Sequence, residues 1–159
     1  MSEFAGVNPS TAARDGAGSR ADAPSDRHDS KADGGFTILV ADDDHAIRTL
    51  TGGVLRSYGY NVLQAADGVD ALEVAAQHPG PIHLLLTDVS MPRLDGWGLH
   101  RRMSSERPET TTLFMSGSLD PGQHQHAAFL PKPFTVLALV QKVNEALKVS
   151  AGRVSSEQA

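Results

Sequence analysis

Three consecutive carboxylates, Asp42, Asp43 and Asp44, follow directly on the apolar run Ile38-Leu39-Val40. A second apolar run, Ile82 to Leu86, leads into another acid, Asp88. Acids set hard against strand-like runs are costly to hold unless a cation lies between them. If the two runs are strands of one parallel sheet, their carboxyl ends share an edge, the edge where open α/β sheets bind ligands. Oxygen donors gathered in that way suit Mg2+ or a similar hard ion. Any one of these acids is equally at home in a solvated turn or at a helix N-cap. The inference therefore rests on the set.

Three further positions extend it. In Asp88-Val89-Ser90-Met91-Pro92-Arg93-Leu94-Asp95-Gly96, Pro92 stiffens the loop and Asp95-Gly96 makes a turn. A loop held in this way can fix the Ser90 carbonyl as another oxygen ligand. Ser116 follows Leu113-Phe114-Met115, where a hydroxyl at a strand end can donate to an anion. Lys132 stands between Pro131 and Pro133, an unusual setting for a solvated lysine, and its ammonium can reach an acid cluster on the same edge. By contrast, His124 and His126 have no third ligand in view and read as a polar loop. Trp97, the only tryptophan, reads as a packing or partly exposed residue.

These residues need a scaffold, and the hydrophobic pattern supplies one. Strands are predicted over Phe36 to Ala41, Tyr60 to Gln64, Ile82 to Thr87, Thr111 to Met115 and Ala127 to Leu130. Between and after them lie predicted helices. His45 to Tyr58 carries Ile47, Leu50, Val54 and Leu55 at helical spacing and ends at Gly59 as a cap. Asp67 to Gln77 carries Val69, Leu72, Val74 and the Ala75-Ala76 pair; another runs from Asp95-Gly96 to about Arg107. The last, Phe134 to Lys148, repeats Val136, Val140, Val143 and Leu147. Strands alternating with helices imply an α/β, doubly wound, five-stranded parallel sheet with helices on both faces.

A chain of 159 residues is long enough for one such domain. Its net charge of −5 argues against a nucleic-acid partner, because such domains usually carry a basic face. No cysteine is present, which removes disulfides, thiolate metal sites and cysteine nucleophiles. The sequence shows neither a membrane-spanning apolar run nor a signal-peptide pattern, so a cytoplasmic protein with no membrane partner is expected. Residues 1–35, rich in Ala, Asp, Gly and Ser, are expected to be a disordered tail, residues 36–149 the domain, and residues 150–159 a short C-terminal tail.

The order and spacing of these motifs resemble the receiver domain of two-component response regulators: an acidic pair after strand one, Asp with Met-Pro and Asp-Gly after strand three, Ser after strand four, Lys-Pro-Phe after strand five. The resemblance covers Phe36 to Val149. It implies a flavodoxin-like strand order of 2-1-3-4-5. It also implies that Asp88 is the phosphoacceptor, that Asp42, Asp43, Asp88 and the Ser90 backbone carbonyl hold Mg2+, and that Lys132 and Ser116 bind the phosphoryl group. Ser116 and Phe129 would be the switch pair, and Lys132-Pro133 a cis peptide. The partners implied are a histidine kinase or phosphotransfer protein upstream and an unknown protein downstream. On this reading the chain is a single-domain receiver that signals by protein–protein contact or phosphorelay, with no enzyme activity apart from its own phosphorylation and dephosphorylation.

The sequence departs from the family between strands four and five, and in the small residues Ser90 and Ser118, two beyond Asp88 and Ser116. Only Gly117 to His126 separates Ser116 from the fifth strand, and Pro121-Gly122 interrupts it, so the fourth helix is expected to be short or missing. Two rival functions stand beside the receiver. One is a degenerate receiver acting as a phosphorylation-independent binding module. The other is a Mg2+-dependent phosphoaspartate phosphohydrolase, which would be expected to place a second acid where Ser90 stands.

Overall fold

The structure, a computed structural model, describes residues 35–118 and 126–157, with side chains as far as Gly152. Five short strands form its centre: β1 (Thr37–Ala41), β2 (Asn61–Ala65), β3 (Leu84–Asp88), β4 (Thr111–Ser116) and β5 (Ala128–Pro131). All neighbouring pairs are parallel and the order is β2-β1-β3-β4-β5. The helices are α1 (His45–Ser57), α2 (Gly68–Gln77), α3 (Gly96–Glu106) and α4 (Val136–Glu157).

Side chains alternate across the sheet with period two, and that divides the core. Ile38, Val40, Leu84, Leu86, Leu113 and Met115 face one way and pack with Leu55 of α1 and Leu139, Val143 and Leu147 of α4. Leu39, Ala41 and Leu85 face the other way, against Ala71 and Ala75 of α2 and Leu99 and Met103 of α3. Burying each of these leucines stabilises the fold by about 1.5–3 kcal/mol. β1 and the first four residues of β3 are buried on both faces, which is why they read as unbroken apolar runs.

The helix ends follow local chemistry. Asp44, Asp67 and Asp95 cap α1, α2 and α3 through their side-chain oxygens. Gly59, at φ 98°, lies just past the end of α1 in a conformation other residues rarely adopt. Arg107 donates to the carbonyls of Ala75, His78 and Gly80, tying the end of α3 to the end of α2.

Two sequence expectations change. Leu50 and Val136, counted in the apolar stripes of their helices, are 63% and 48% exposed. On α2 the fully buried contacts come from Ala71 and Ala75, while Leu72 is only half-buried, because small residues let the helix lie close to the sheet. The C-terminal tail expected from residue 150 is instead a continuation of α4 to Glu157, with Ser150 buried beside the core. Residues 1–34 and 119–125 lie outside the described residues, and with them the expectations of a disordered N-terminal tail and of a short or missing fourth helix. Among the described residues, no helix is long and apolar enough to cross a membrane.

At the amino-terminal edge of the sheet, His83 accepts a hydrogen bond from the Thr37 N–H through Nδ1 (2.9 Å). Burial holds this ring below the ordinary histidine value and outweighs the opposite pull of Glu109. His100 is lowered likewise, by burial and then by Arg101, with its Nδ1 2.9 Å from Thr112 Oγ1. A depressed histidine favours the neutral ring in the fold, so its contribution is complete above the unfolded value of about 6.5 and is lost as the pH falls below it. Melting temperature is expected to drop on acidification from about pH 6.5 toward 5. The double variant His83→Asn/His100→Asn should flatten that limb in a thermal-melt series; an unchanged slope would exclude the two rings as its cause.

Candidate functional site: an acidic rim with one lysine

The register Ala41↔Thr87 sets the ends of β1 and β3 side by side, so Asp42 and Asp88 emerge as neighbours. Asp42 is fully buried. Its Oδ1 accepts from the Asp44 N–H (2.9 Å) and its Oδ2 from Lys132 Nζ (2.8 Å). The same ammonium donates to Asp88 Oδ2 at 3.3 Å. Asp43, next in the turn, is exposed. Asp42, Asp43 and Asp88 each offer a carboxylate oxygen within 4.8 Å of the others. Three hard oxygen donors at that spacing fit a divalent ion such as Mg2+, which takes carboxylates while keeping several waters.

Lys132 reaches the rim because β5 ends beside Ser116. The Lys132 N–H donates to the Ser116 carbonyl (2.8 Å), and the next peptide, Lys132-Pro133, is cis. Its side chain is only 16% exposed. Burial alone would lower its pKa; hydrogen bonding and charge from Asp42, with Asp88 behind, outweigh that and raise it. Asp88 shifts upward. Burial is the first cause and the Asp42 charge adds to it, against Lys132 and the Ser90 backbone N–H that hydrogen-bonds to it. Like charge crowded on this rim is thus only partly compensated by one ammonium.

Around this centre the loop after β3 is pinned at both ends. The Val89 N–H donates to the Met115 carbonyl (3.1 Å) and the Gly96 N–H to the Val89 carbonyl (2.9 Å). A Cβ on Gly96 would stand 2.2 Å from the Asp88 carbonyl oxygen, so this close turn requires glycine. Ser90, exposed, sits between these pins.

Ser116 lies at the end of β4, buried, with its hydroxyl donating to the Ser118 carbonyl (2.7 Å) and accepting from the Ser118 N–H (3.1 Å). The hydroxyl is therefore engaged in the turn after β4. Phe129 on β5 is half-buried, its ring 5.5 Å from that of Phe114 and 6.0 Å from that of Trp97; Trp97 and Phe114 lie 4.0 Å apart. Trp97 is thus a packing residue. The Asp44 side chain caps α1, accepting from the Ala46 and Ile47 N–H groups.

Two arginines escape sequence reasoning. Arg48, one turn into α1, donates through Nη1 to the Asp42 carbonyl (2.6 Å) and braces the turn that carries the acids. Arg93 donates through Nε to Asp67 Oδ2 (2.8 Å), with Nη2 2.7 Å from the same oxygen. Neither spacing has a sequence signal, since one partner is a backbone oxygen and the other lies on a distant loop.

A doubly wound parallel sheet whose central strands β1 and β3 deliver acids, and whose outer strand β5 delivers a lysine, to one edge defines a class: the receiver fold. The family model described as a response regulator receiver domain matches residues 38–144, and the chain belongs to that family. It is 34% identical to the response regulator receiver protein CpdR of Brucella abortus over 116 residues, covering 69% of this chain and 95% of CpdR. To the sensor kinase CckA of the same organism it is 36% identical over 123 residues, covering 72% of this chain but 13% of the kinase. Among solved structures, the chemotaxis response regulator CheY4 of Vibrio cholerae superposes with a TM-score of 0.64 at 28% identity, covering 71% of this chain and 99% of that one.

Proposed function

We propose that the chain is a phosphorylation-dependent receiver that takes a phosphoryl group onto Asp88 from a histidine kinase or phosphotransfer protein, with Mg2+ required. The observation that carries this reading is the bridge from Lys132 Nζ to Asp42 and Asp88 beside a third convergent carboxylate. An Asp88 oxygen attacks phosphorus as the P–N bond of a phosphohistidine breaks, and the leaving imidazole takes up a proton. Asp42, Asp43, Asp88 and the Ser90 carbonyl would hold Mg2+. The ion supplies charge neutralisation for an anion meeting an anion.

Lys132 stands ready to bind an equatorial phosphoryl oxygen, since its ammonium already lies within reach of the accepting carboxylate. Ser116 Oγ, by leaving its bond to Ser118, can donate to another. Its movement inward would open space beside β5 for the Phe129 ring to turn into, which converts a local charge change into a changed surface. The downstream readout is protein–protein contact or onward phosphate relay.

The upstream partner lands on apolar surface beside the rim. Leu50, Val136 and Leu137 are exposed on helices that start just beyond Asp42 and Lys132, so apolar surface lies on elements flanking the acidic rim. Incubation with acetyl phosphate and Mg2+ should add one phosphoryl unit to the intact mass, labile to hydroxylamine, and chelation of the metal should prevent it. A chain that gains no phosphoryl under these conditions is a phosphorylation-independent binding module instead.

A further inference from the structure

The loop that follows Asp88 has a strained crest. The Leu94 N–H donates to the Pro92 carbonyl (2.8 Å), closing a three-residue turn around Arg93, whose φ is 69°. A γ-turn with a positive central φ is rare, and for a residue other than glycine it is strained. Such a turn persists only when its surroundings hold it. Here the holder is the side chain of the strained residue itself, with Nε and Nη2 both on Asp67 Oδ2.

Asp67 is not an ordinary surface partner. It is buried, and its other oxygen caps α2 by accepting from the Asp70 N–H (2.9 Å). Although burial alone would raise its pKa, the Asp70 N–H and the Arg93 guanidinium outweigh that and bring it below the usual carboxylate range. Immediately after it, Gly68 lies so close to the loop that a Cβ would stand 2.4 Å from the Leu94 carbonyl oxygen. The start of α2 and the crest of the β3–α3 loop are therefore in contact through both backbone and charge. Arg93 itself is 58% exposed, and an exposed ion pair is ordinarily worth little. Two N–H groups on a single buried oxygen, anchored across a strained turn, make a different case.

We infer that the Arg93–Asp67 pair is a positioning latch, joining α2 to the strained β3–α3 turn and thereby fixing Ser90 for the divalent ion held beside Asp88. The inference deepens the reading of that site and rests on it. Asp67 is bonded to Arg93 and to the Asp70 N–H, so its link to the acidic rim runs through the loop. Releasing the latch leaves Asp42, Asp43, Asp88 and Lys132 in place and lets the segment from Ser90 to Leu94 relax.

Calorimetric titration with Mg2+ alone, with hydrogen exchange of the metal-free protein, tests the latch. Four variants separate its parts. Arg93→Ala removes the pair and keeps the strain, whereas Arg93→Gly removes both. Asp67→Ser retains a good helix cap with a side chain too short for Arg93. Arg93→Lys restores a cation but not the paired N–H groups.

Arg93→Gly should lose less Mg2+ affinity, since glycine adopts this turn without strain, whereas Arg93→Ala and Asp67→Ser should weaken binding by roughly tenfold, the scale on which residues supporting a ligand act. Arg93→Lys should fall between them and the unsubstituted protein, and the double variant Arg93→Ala/Asp67→Ser should be no weaker than either single one. Exchange at the Leu94 and Gly96 amides should quicken in step. Unchanged Mg2+ affinity in Arg93→Ala and Asp67→Ser, even with a lowered melting temperature, overturns the latch while the site stands. Mg2+ binding to the unsubstituted protein that survives Asp88→Asn and Asp43→Asn overturns the site and the latch together.

Discussion

Asp88→Asn is expected to melt at a higher temperature than the unsubstituted protein in metal-free buffer at neutral pH, while gaining no phosphoryl group from acetyl phosphate. The loss of acceptance is complete because an amide oxygen is a poor nucleophile and the acyl phosphate has no carboxylate to form on. The stability gain follows from the crowded rim. Burial and the neighbouring Asp42 charge raise the Asp88 pKa, so the fold prefers this group protonated. A carboxylate raised in the fold contributes its stability below the unfolded value of about 3.9 and loses it as the pH rises through the folded value. At pH 7 ionised Asp88 therefore opposes folding, and a neutral isostere removes that opposition while still accepting from Lys132. The advantage should shrink as the pH is lowered toward the carboxylate range. Added Mg2+ should also narrow it, because a ligand stabilises only the form that binds it. Equal melting temperatures across pH 4 to 8 would contradict this account.

Lys132→Met should do the opposite. Asp42 is fully buried, and Lys132 Nζ is the cation that meets it, at 2.8 Å. Removing one partner of a buried pair leaves an uncompensated charge, a loss of about 3–5 kcal/mol. Methionine keeps most of the apolar stem, so the loss measures charge rather than packing. Mg2+ should recover a large part of it by supplying positive charge to the same carboxylates, and its apparent affinity should rise because the ammonium no longer competes for Asp42 and Asp88. Phosphoryl acceptance should nevertheless fall by roughly 100-fold, as when a single preorganised donor to a transition-state anion is lost. Denaturant melts with and without Mg2+, paired with mass-monitored labelling, give both readings. An unaltered metal-free midpoint would mean that Asp42 does not depend on this lysine.

Much of this arrangement is legible in the residues themselves. Asp42, Asp43, Asp88 and Lys132 stand out because charged groups abut apolar runs, and a parallel sheet sends the ends of such runs to one edge. The five strands and their order follow from the same runs and the family resemblance. What stays hidden depends on partners that sequence spacing does not encode. Arg48 braces a backbone carbonyl and Arg93 a carboxylate on another loop. Leu50 and Val136 fit a helical stripe by spacing, yet the sheet covers only part of such a stripe, and both fall outside it. Ala75, named in the helical pattern, is buried as expected, but Ala71, which makes the close contact of α2 beside it, is missed because it is small, a property hydropathy counts as weakness. The end of α4 is missed because Ser150, Ala151 and Gly152 look like a tail, although Ser150 is buried against the domain.

The alternation of the central strands has a consequence for how this domain can drift. Ile38 and Leu39, adjacent in the chain, belong to separate oily compartments with the sheet as a wall between them. Repacking in one compartment is felt in the other only through the backbone they share, so substitutions on opposite sides should combine nearly additively. Lineages can therefore re-tailor one flank for new associates while the acidic rim, hung from the wall itself, keeps its alignment.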